Sequence, residues 1–380
     1  MRILVLGCGN IGSVIATDLA ESMPSTDIVI ADKRRSRAEK VAALIQERNV
    51  AGIQLDACNY RELVDNMKMF DLVVGALPGD IGYQSVKAAI DANVDLVDVS
   101  YMPENPLTLN KDAVKAGVMI IPDCGVAPGI SNVFIGHAIS KLDNVESVHV
   151  MVGGLPEESV PPLGYTLTWS SEGLIDEYTR RAKIVENGEV KEVEALTGLE
   201  EVEFPGAGKL EAFYTDGLRT LLHTTKDVKT MWEKTLRYPG HVEKIRLLKA
   251  LGFFDERPIE VENVCLSPRK ITVKLFEAKL RRPEIKDILA MKVEISGMKE
   301  GLKKRYIYHL LDRYDEKRGV TAMARTTAYP ASILAQLTAQ EIIEERGVVP
   351  LEKLCVEEEI FNKILAELEK RHIKIVESPG

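Results

Sequence analysis

Short aliphatic and β-branched runs recur through the first third of the chain, at Ile3–Leu6, Ile28–Ala31, Gly52–Leu55, Leu72–Gly75, Leu96–Val99 and Val118–Ile121. Between them, helical patterns are predicted at Ile11–Met23, Ser36–Arg48, Tyr60–Asn66, Ile81–Ala92 and Asn110–Ala116. Six strands joined by crossovers of this length predict an α/β fold, a doubly wound parallel sheet of Rossmann type. After Pro122 glycine and proline cluster at Gly125–Gly129 and Gly153–Gly164, and the pattern changes. Alternating runs at Ser147–Val152, Ile271–Leu275, Lys292–Ser296 and Arg305–Leu311 predict strands with one face in a core and the other toward solvent. A second, α+β domain with a mostly antiparallel or mixed sheet follows. Near the C-terminus Pro330 suits the first turn of a helix whose stripe is Leu334, Leu337 and Ile342 and whose stop is Gly347; Ile360, Ile364, Leu365 and Leu368 form a second stripe. Both helices are expected to return to the first domain. The expected division is 1–125 with 328–380, and 126–327.

Composition narrows the functional classes. With 45% hydrophobic and 28% charged residues, 380 residues suffice for two ordinary globular cores. A formal net charge of -9 argues against nucleic-acid and anionic-membrane partners, which need a basic surface; Lys33-Arg34-Arg35 reads as a solvated run. The five cysteines, Cys8, Cys58, Cys124, Cys265 and Cys355, never approach a metal-ligand or paired spacing, so no metal and no disulfide framework is expected. Met1 runs directly into the first strand pattern, and no apolar stretch approaches the ~20 residues of a membrane span. A cytoplasmic location is expected.

The candidate chemistry begins at Gly7-Cys8-Gly9-Asn10-Ile11-Gly12. A glycine triplet alone is weak evidence, but this one follows a strand and opens a helix. Gly7 can make the tight turn, Gly9 can admit a pyrophosphate to the backbone, and Gly12 can let helix and strand pack closely. Asn10 and Ile11 lie at the helix N-terminus, where unpaired N–H groups favour an anion. Asp32, twenty residues after Gly12 at the end of the second strand, is placed to accept the ribose hydroxyls. Its charge should repel a 2′-phosphate, so NAD is expected over NADP, although Lys33 and the arginines beside it would suit NADP if the carboxylate turned away. Asp56, Ala76, Leu77 and Pro78 end the third and fourth strands and complete the expected cofactor-binding set.

Further segments belong to the same strand ends or follow them: Asp98-Val99-Ser100-Tyr101, Pro122 to Gly129, Thr168-Trp169-Ser170-Ser171-Glu172-Gly173, Thr215-Asp216-Gly217-Leu218-Arg219 and Thr235 to His241. Together they resemble the saccharopine dehydrogenase family, with its lysine 6-dehydrogenase branch nearest. The resemblance spans nearly the whole chain. It implies a nicotinamide-dependent enzyme acting at a carbon–nitrogen bond of a small amino-acid substrate, and a homodimer formed through the second domain.

The residues suit that chemistry. Arg219 and Arg237 each offer a planar fork for a carboxylate, or else a salt bridge within the fold. Asp123, at a strand end, is the candidate to take the ammonium proton, or else it ties its own loop. Ser100 is a candidate substrate contact, Trp169 and Tyr238 are candidate apolar walls, and His241 is a candidate proton shuttle. The leading expectation is NAD-dependent oxidative deamination of the ε-amine of L-lysine. A saccharopine-type dehydrogenase, drawing further cations from Arg180 and Arg181, and a non-catalytic NAD-binding sensor or assembly subunit are the alternatives.

Overall fold

A computed structural model describes residues 1–379 except Gln46, Arg48 and Pro283. In chain order the first elements are β1 (Arg2–Leu6), α1 (Asn10–Ser22), β2 (Asp27–Asp32), α2 (Arg35–Leu44), β3 (Val50–Gln54), α3 (Tyr60–Met67), β4 (Leu72–Gly75), α4 (Gly79–Ala92), β5 (Asp95–Asp98), α5 (Asn110–Ala116), β6 (Met119–Ile121) and α6 (Ile130–Ser140). There follow β7 (Asn144–Pro156), α7 (Ser171–Thr179), β8 (Ala182–Glu186), β9 (Glu189–Val193), β10 (Glu200–Phe204), β11 (Gly208–Tyr214), α8 (Leu221–Thr224), β12 (Thr230–Arg237) and α9 (His241–Ala250). The remainder is β13 (Ile259–Val261), β14 (Val264–Leu266), α10 (Pro268–Leu280), β15 (Asp287–Lys299), β16 (Leu302–Arg313), α11 (Ala322–Ala339), β17 (Gly347–Val348), α12 (Leu351–Leu354), α13 (Glu358–Lys370) and β18 (Ile375–Pro379).

Two compact units share these elements. The first combines Met1–Lys141, Arg219–Thr224 and Ala324–Ile373; the second combines Leu142–Leu218, Thr225–Met323 and the chain from Lys374 onward. The first unit carries an all-parallel sheet in the order β17-β6-β5-β4-β1-β2-β3. The strand order reverses between β1 and β4, and in an open α/β sheet ligands bind at the carboxyl ends of the strands beside that reversal. Leu4, Leu6, Val73, Leu96 and Ile120 are buried in its core, as continuous apolar strands covered on both faces require. The returning C-terminal segment is fastened here. Arg371 after α13 donates to both carboxylate oxygens of Asp18 in α1, at 2.8 and 2.9 Å, and Ser332 of α11 donates to the same carboxylate at 2.6 Å. Ile360, Phe361, Ile364 and Leu368 form the buried stripe of α13.

The second unit holds a mixed sheet in the order β10-β11-β12-β7-β15-β16-β18, with β8 and β9 attached beside β12. Only the β12–β7 pair is parallel among the pairs on that path. Helices α7, α9 and α10 enclose a core of Tyr165, Leu174, Tyr178, Phe213, Ile245 and Phe276.

Three local expectations are corrected. Ile271–Leu275 is helical within α10, not a strand: Ser267 caps its N-terminus by accepting from the Lys270 amide, Pro268 occupies its first turn, and Thr272, Phe276 and Leu280 bury one face at a spacing of four. Alternating β-branched residues had mimicked a strand. Pro330 lies inside α11, because the helix begins eight residues earlier, where the Asp287 carboxylate of β15 accepts from the amides of Ala322 and Met323. That cap is distant in sequence and invisible to a local pattern. Gly347 does not stop a helix but enters β17, which pairs with β6. The expected C-terminal limit of the second helix, Arg48, lies outside the described residues. Among the described residues no helix is long and apolar enough to cross a membrane, and no group of three or more His, Cys, Asp or Glu is arranged to hold a metal ion.

Candidate dinucleotide and substrate site

The glycine loop between β1 and α1 has the geometry its spacing requires. Gly7 sits at φ +103°, where a side chain would be strained and its Cβ would meet the Ala76 carbonyl oxygen at 2.5 Å. A Cβ on Gly12 would overlap the Gly7 carbonyl, so only glycine lets α1 start against the loop. At Gly9 the corresponding space is open to 4 Å, leaving the backbone accessible to a phosphate. Gly9 is also the N-cap of α1 and gives no side-chain cap, while Asn10, Ile11 and Gly12 form a first turn without acidic residues. Their N–H groups have no partner within the helix and suit an anion. Cys8 between the glycines is buried, and burial together with the Asp32 charge pushes its thiol up to about 12; it stays a neutral thiol.

Asp32 ends β2 with one oxygen accepting from the Arg34 amide at 2.9 Å. The guanidiniums of Arg34 and Arg37 stand 3.9 and 3.8 Å from its carboxylate. Arg37, in the first turn of α2, went unremarked in the sequence. Lys33 is exposed. Asp56 is exposed and accepts from the Cys58 amide at 3.0 Å in the turn after β3. Ala76 lies against Gly7 and Gly12, Leu77 packs on the core, and Pro78 is the N-cap of α4.

The ends of β4, β5 and β6 interlock through small residues. The Asp98 carboxylate fills the space a side chain on Gly75 would occupy, and Ser100 lies against Gly82. Asp98 is fully buried and accepts from both the amide and the hydroxyl of Ser100 at 2.9 Å. Burial pushes its carboxyl up to about 7, with Asp123 reinforcing the rise and the Ser100 hydrogen bonds and Arg219 opposing it. Ser100 is therefore a turn-forming partner of Asp98 as well as a candidate substrate contact.

Next to this turn Asp123, just after β6, receives a 2.8 Å hydrogen bond from the Arg219 Nε. The Arg219 guanidinium also donates to the Met102 carbonyl and lies 5.5 Å from the Tyr101 ring. Both side chains are almost wholly buried, at 5% and 3% exposure. Both residues hold left-handed backbone, φ +58° for Asp123 and +48° for Arg219. Such conformations cost of order 1–3 kcal/mol each, persist only where the surroundings enforce them, and cluster at functional sites. Among the described residues the second Asp123 oxygen, Oδ2, is buried without a hydrogen-bond partner.

The remaining candidates belong to the second unit, where Arg237, Trp169 and His241 all lie against Tyr165. Arg237 is 2% exposed; it donates to Glu177 at 2.6 Å and lies over the Tyr165 ring. Trp169 donates its indole N–H to the Tyr165 hydroxyl at 3.0 Å. His241 is fully buried, with Nδ1 bonded to the Leu163 carbonyl and Nε2 to the Tyr178 hydroxyl. Burial, aided by the Arg237 charge, pulls its pKa down to about 3. The structure thus engages Arg237 and both nitrogens of His241 with interior partners, giving the arginine the salt-bridge use that its residue type also allows. Tyr238 donates to the carbonyls of Pro156 and Glu157.

A Gly-x-Gly-x-x-Gly turn on an all-parallel sheet, a β2 carboxylate and a buried ion pair at the neighbouring strand ends define an α/β protein of the dinucleotide-binding, Rossmann class. The chain belongs to the saccharopine dehydrogenase family: residues 3–121 match the saccharopine dehydrogenase NADP binding domain and residues 125–373 the saccharopine dehydrogenase C-terminal domain. The NADP(+), L-glutamate-forming saccharopine dehydrogenase of Schizosaccharomyces pombe is 28% identical over 290 residues, 73% of this chain and 64% of that one. The Saccharomyces cerevisiae enzyme of the same name is matched over 60% of its length, so the chain spans a little under two thirds of these relatives. Carboxyaminopropylagmatine dehydrogenase of Synechocystis is 24% identical, with 93% of this chain and 92% of that one covered. The fold is that of apo saccharopine dehydrogenase (L-Glu forming) from Saccharomyces cerevisiae, with a TM-score of 0.80 at 19% identity over 99% of both chains.

Proposed function

We propose that this chain is a nicotinamide-dinucleotide-dependent dehydrogenase that oxidises the ε-carbon–nitrogen bond of L-lysine, with NAD preferred. The observation that carries the reading is the buried Asp123–Arg219 pair, with left-handed backbone at both residues and an unpartnered Asp123 oxygen. A bound dinucleotide would supply the hydride acceptor, its pyrophosphate held at Gly9, Asn10, Ile11 and Gly12 and its ribose at Asp32. Asp123 Oδ2 accepts the proton of the substrate amine, and the Arg219 charge orients the substrate carboxylate. Ser100, held by Asp98, shapes the turn that carries Tyr101.

A second reading is a saccharopine-type dehydrogenase, supported by the names of the relatives. The further cations it needs would come from Arg180, which stands 3.6 and 3.9 Å from Asp176 and Asp216, and Arg181, 3.8 and 3.4 Å from Glu192 and Glu194. The cofactor choice rests on Asp32, whose carboxylate opposes a 2′-phosphate, while Arg34 and Arg37 beside it and the NADP binding domain match favour NADP.

Purified protein mixed with NAD or NADP and with L-lysine or saccharopine at alkaline pH tests both choices through formation of reduced nicotinamide. Lysine-dependent reduction of NAD is expected, and Asp32→Ala should shift preference toward NADP. Turnover of saccharopine alone would replace the first reading with the second. Dinucleotide binding without turnover of either compound would favour a sensor or assembly subunit.

A further inference from the structure

We infer that Glu352, in the short helix α12, is a positioning residue that holds Asp123 and Arg219 in register. This inference rests on the reading of that pair as the substrate site. Glu352 is 5% exposed, and its two carboxylate oxygens serve two different chain segments. Oε2 accepts from the Asn132 side-chain amide at 2.9 Å, and Oε1 accepts from the Thr224 hydroxyl at 2.6 Å.

Each segment leads to one member of the pair. The Asn132 side-chain oxygen Oδ1 accepts from the Gly129 amide at 3.3 Å and the Ser131 hydroxyl at 3.0 Å. It thereby closes the loop that begins at Asp123. That loop has little slack: Ile130 and Ser131 donate back to the carbonyls of Gly125 and Val126, and a Cβ on Gly129 would overlap Gly125. On the other side, the Thr224 hydroxyl also lies 3.0 Å from the Thr220 carbonyl, and Thr220 directly follows Arg219. Helix α6 is seated on α12 at Gly136, where a side chain would overlap the Glu352 carbonyl. One carboxylate thus bridges the end of the Asp123 loop and the end of the Arg219 turn. Both residues hold left-handed backbone that their surroundings must enforce. Burial raises the Glu352 pKa, opposed by the hydrogen bonds from Asn132 and Thr224. A side chain of the same length with one acceptor and one donor can still reach both partners.

The test compares Glu352→Leu, which keeps bulk and removes both acceptors, with Glu352→Gln, whose carbonyl can accept from Asn132 while its amide donates to the Thr224 hydroxyl. In crystal structures of the full chain, the Leu variant should lose the Asp123–Arg219 contact and the Gln variant should keep it. With L-lysine or saccharopine, whichever is turned over, kcat/KM should fall by on the order of tenfold in the Leu variant and return to within about threefold in the Gln variant. NAD affinity should be unchanged in both. A folded Leu variant with the contact intact and parental kcat/KM overturns the inference. If the Leu variant does not fold, Thr224→Val removes one arm of the bridge and is held to the same criteria. Arg219→Lys separates the two levels: if it leaves turnover untouched, the reading of the site fails, whereas impaired Arg219→Lys beside a normal Glu352→Leu defeats only the positioning role. If neither compound is turned over, the crystal geometry decides.

Discussion

At neutral pH Asp98 stands near the midpoint of its own titration, because burial pushes its carboxyl up from 3.8 to about 7 against the hydrogen bonds from Ser100. In the unfolded chain the same group loses its proton near its ordinary value. Between about pH 4 and 7 the folded chain therefore holds a proton that the unfolded chain has released, and the contribution of Asp98 to stability falls as pH rises through that window. Its full cost is felt above pH 7. Asp98→Asn removes the charge while a carbonyl oxygen and an amide remain to bond the amide and hydroxyl of Ser100. The variant should be more stable than the parent by on the order of a few kcal/mol at about pH 8, with the gain vanishing near pH 4. Urea unfolding at the two pH values measures this, and an equal gain at both would show that Asp98 is ionised throughout. No local pattern gives Asp98 a role, since only folding brings its carboxylate into the space that Gly75 leaves open.

Elements differ in how much of their cause is local. The β1–α1 unit was legible because every requirement lies within a few residues: an apolar strand, a positive-φ glycine, an open cap and a glycine at the helix start. Gly12→Ala should accordingly abolish dinucleotide binding, since the new methyl group meets backbone rather than a movable side chain. Isothermal titration with NAD reads the loss, and parental affinity would show that the loop yields. Helix α11 was mis-started because its cap comes from Asp287, 35 residues away for Ala322. Strand β17 was missed because two residues carry no periodicity. The site follows the same rule. Asp123 and Arg219 were each singled out by residue type, but their union spans 96 residues and its brace through Glu352 spans 220. A sequence pattern names groups that suit a reaction; pairing between them needs the fold.

At the scale of the molecule, the second unit's sheet has two faces of different character. Phe213 on one face joins the core enclosed by α7, α9 and α10. On the other face the register brings together His149, Trp232, Met151, Lys234, Lys292, Glu294 and Tyr214. His149 stacks on Trp232 with ring centroids 4.2 Å apart, and the Lys234 ammonium lies 4.7 and 4.9 Å from the Tyr214 and Trp232 rings. Burial pulls the His149 pKa down to about 4, so this ring is neutral at physiological pH. His149, Met151 and Trp232 are only half-buried in the single chain, and aromatic residues with few unpaired charges are what a stable protein interface concentrates at its centre. We propose this face as the homodimer contact. Its two-fold symmetry would set each aromatic cluster against its copy. Sedimentation should find the parent as a dimer and Trp232→Glu as a monomer with unchanged circular dichroism, because the new carboxylate would be desolvated against an aromatic surface whose lysines, Lys234 and Lys292, already pair with Glu200 and Glu294. A parent that sediments as a monomer, or a Trp232→Glu variant that remains dimeric, would remove the face from the assembly.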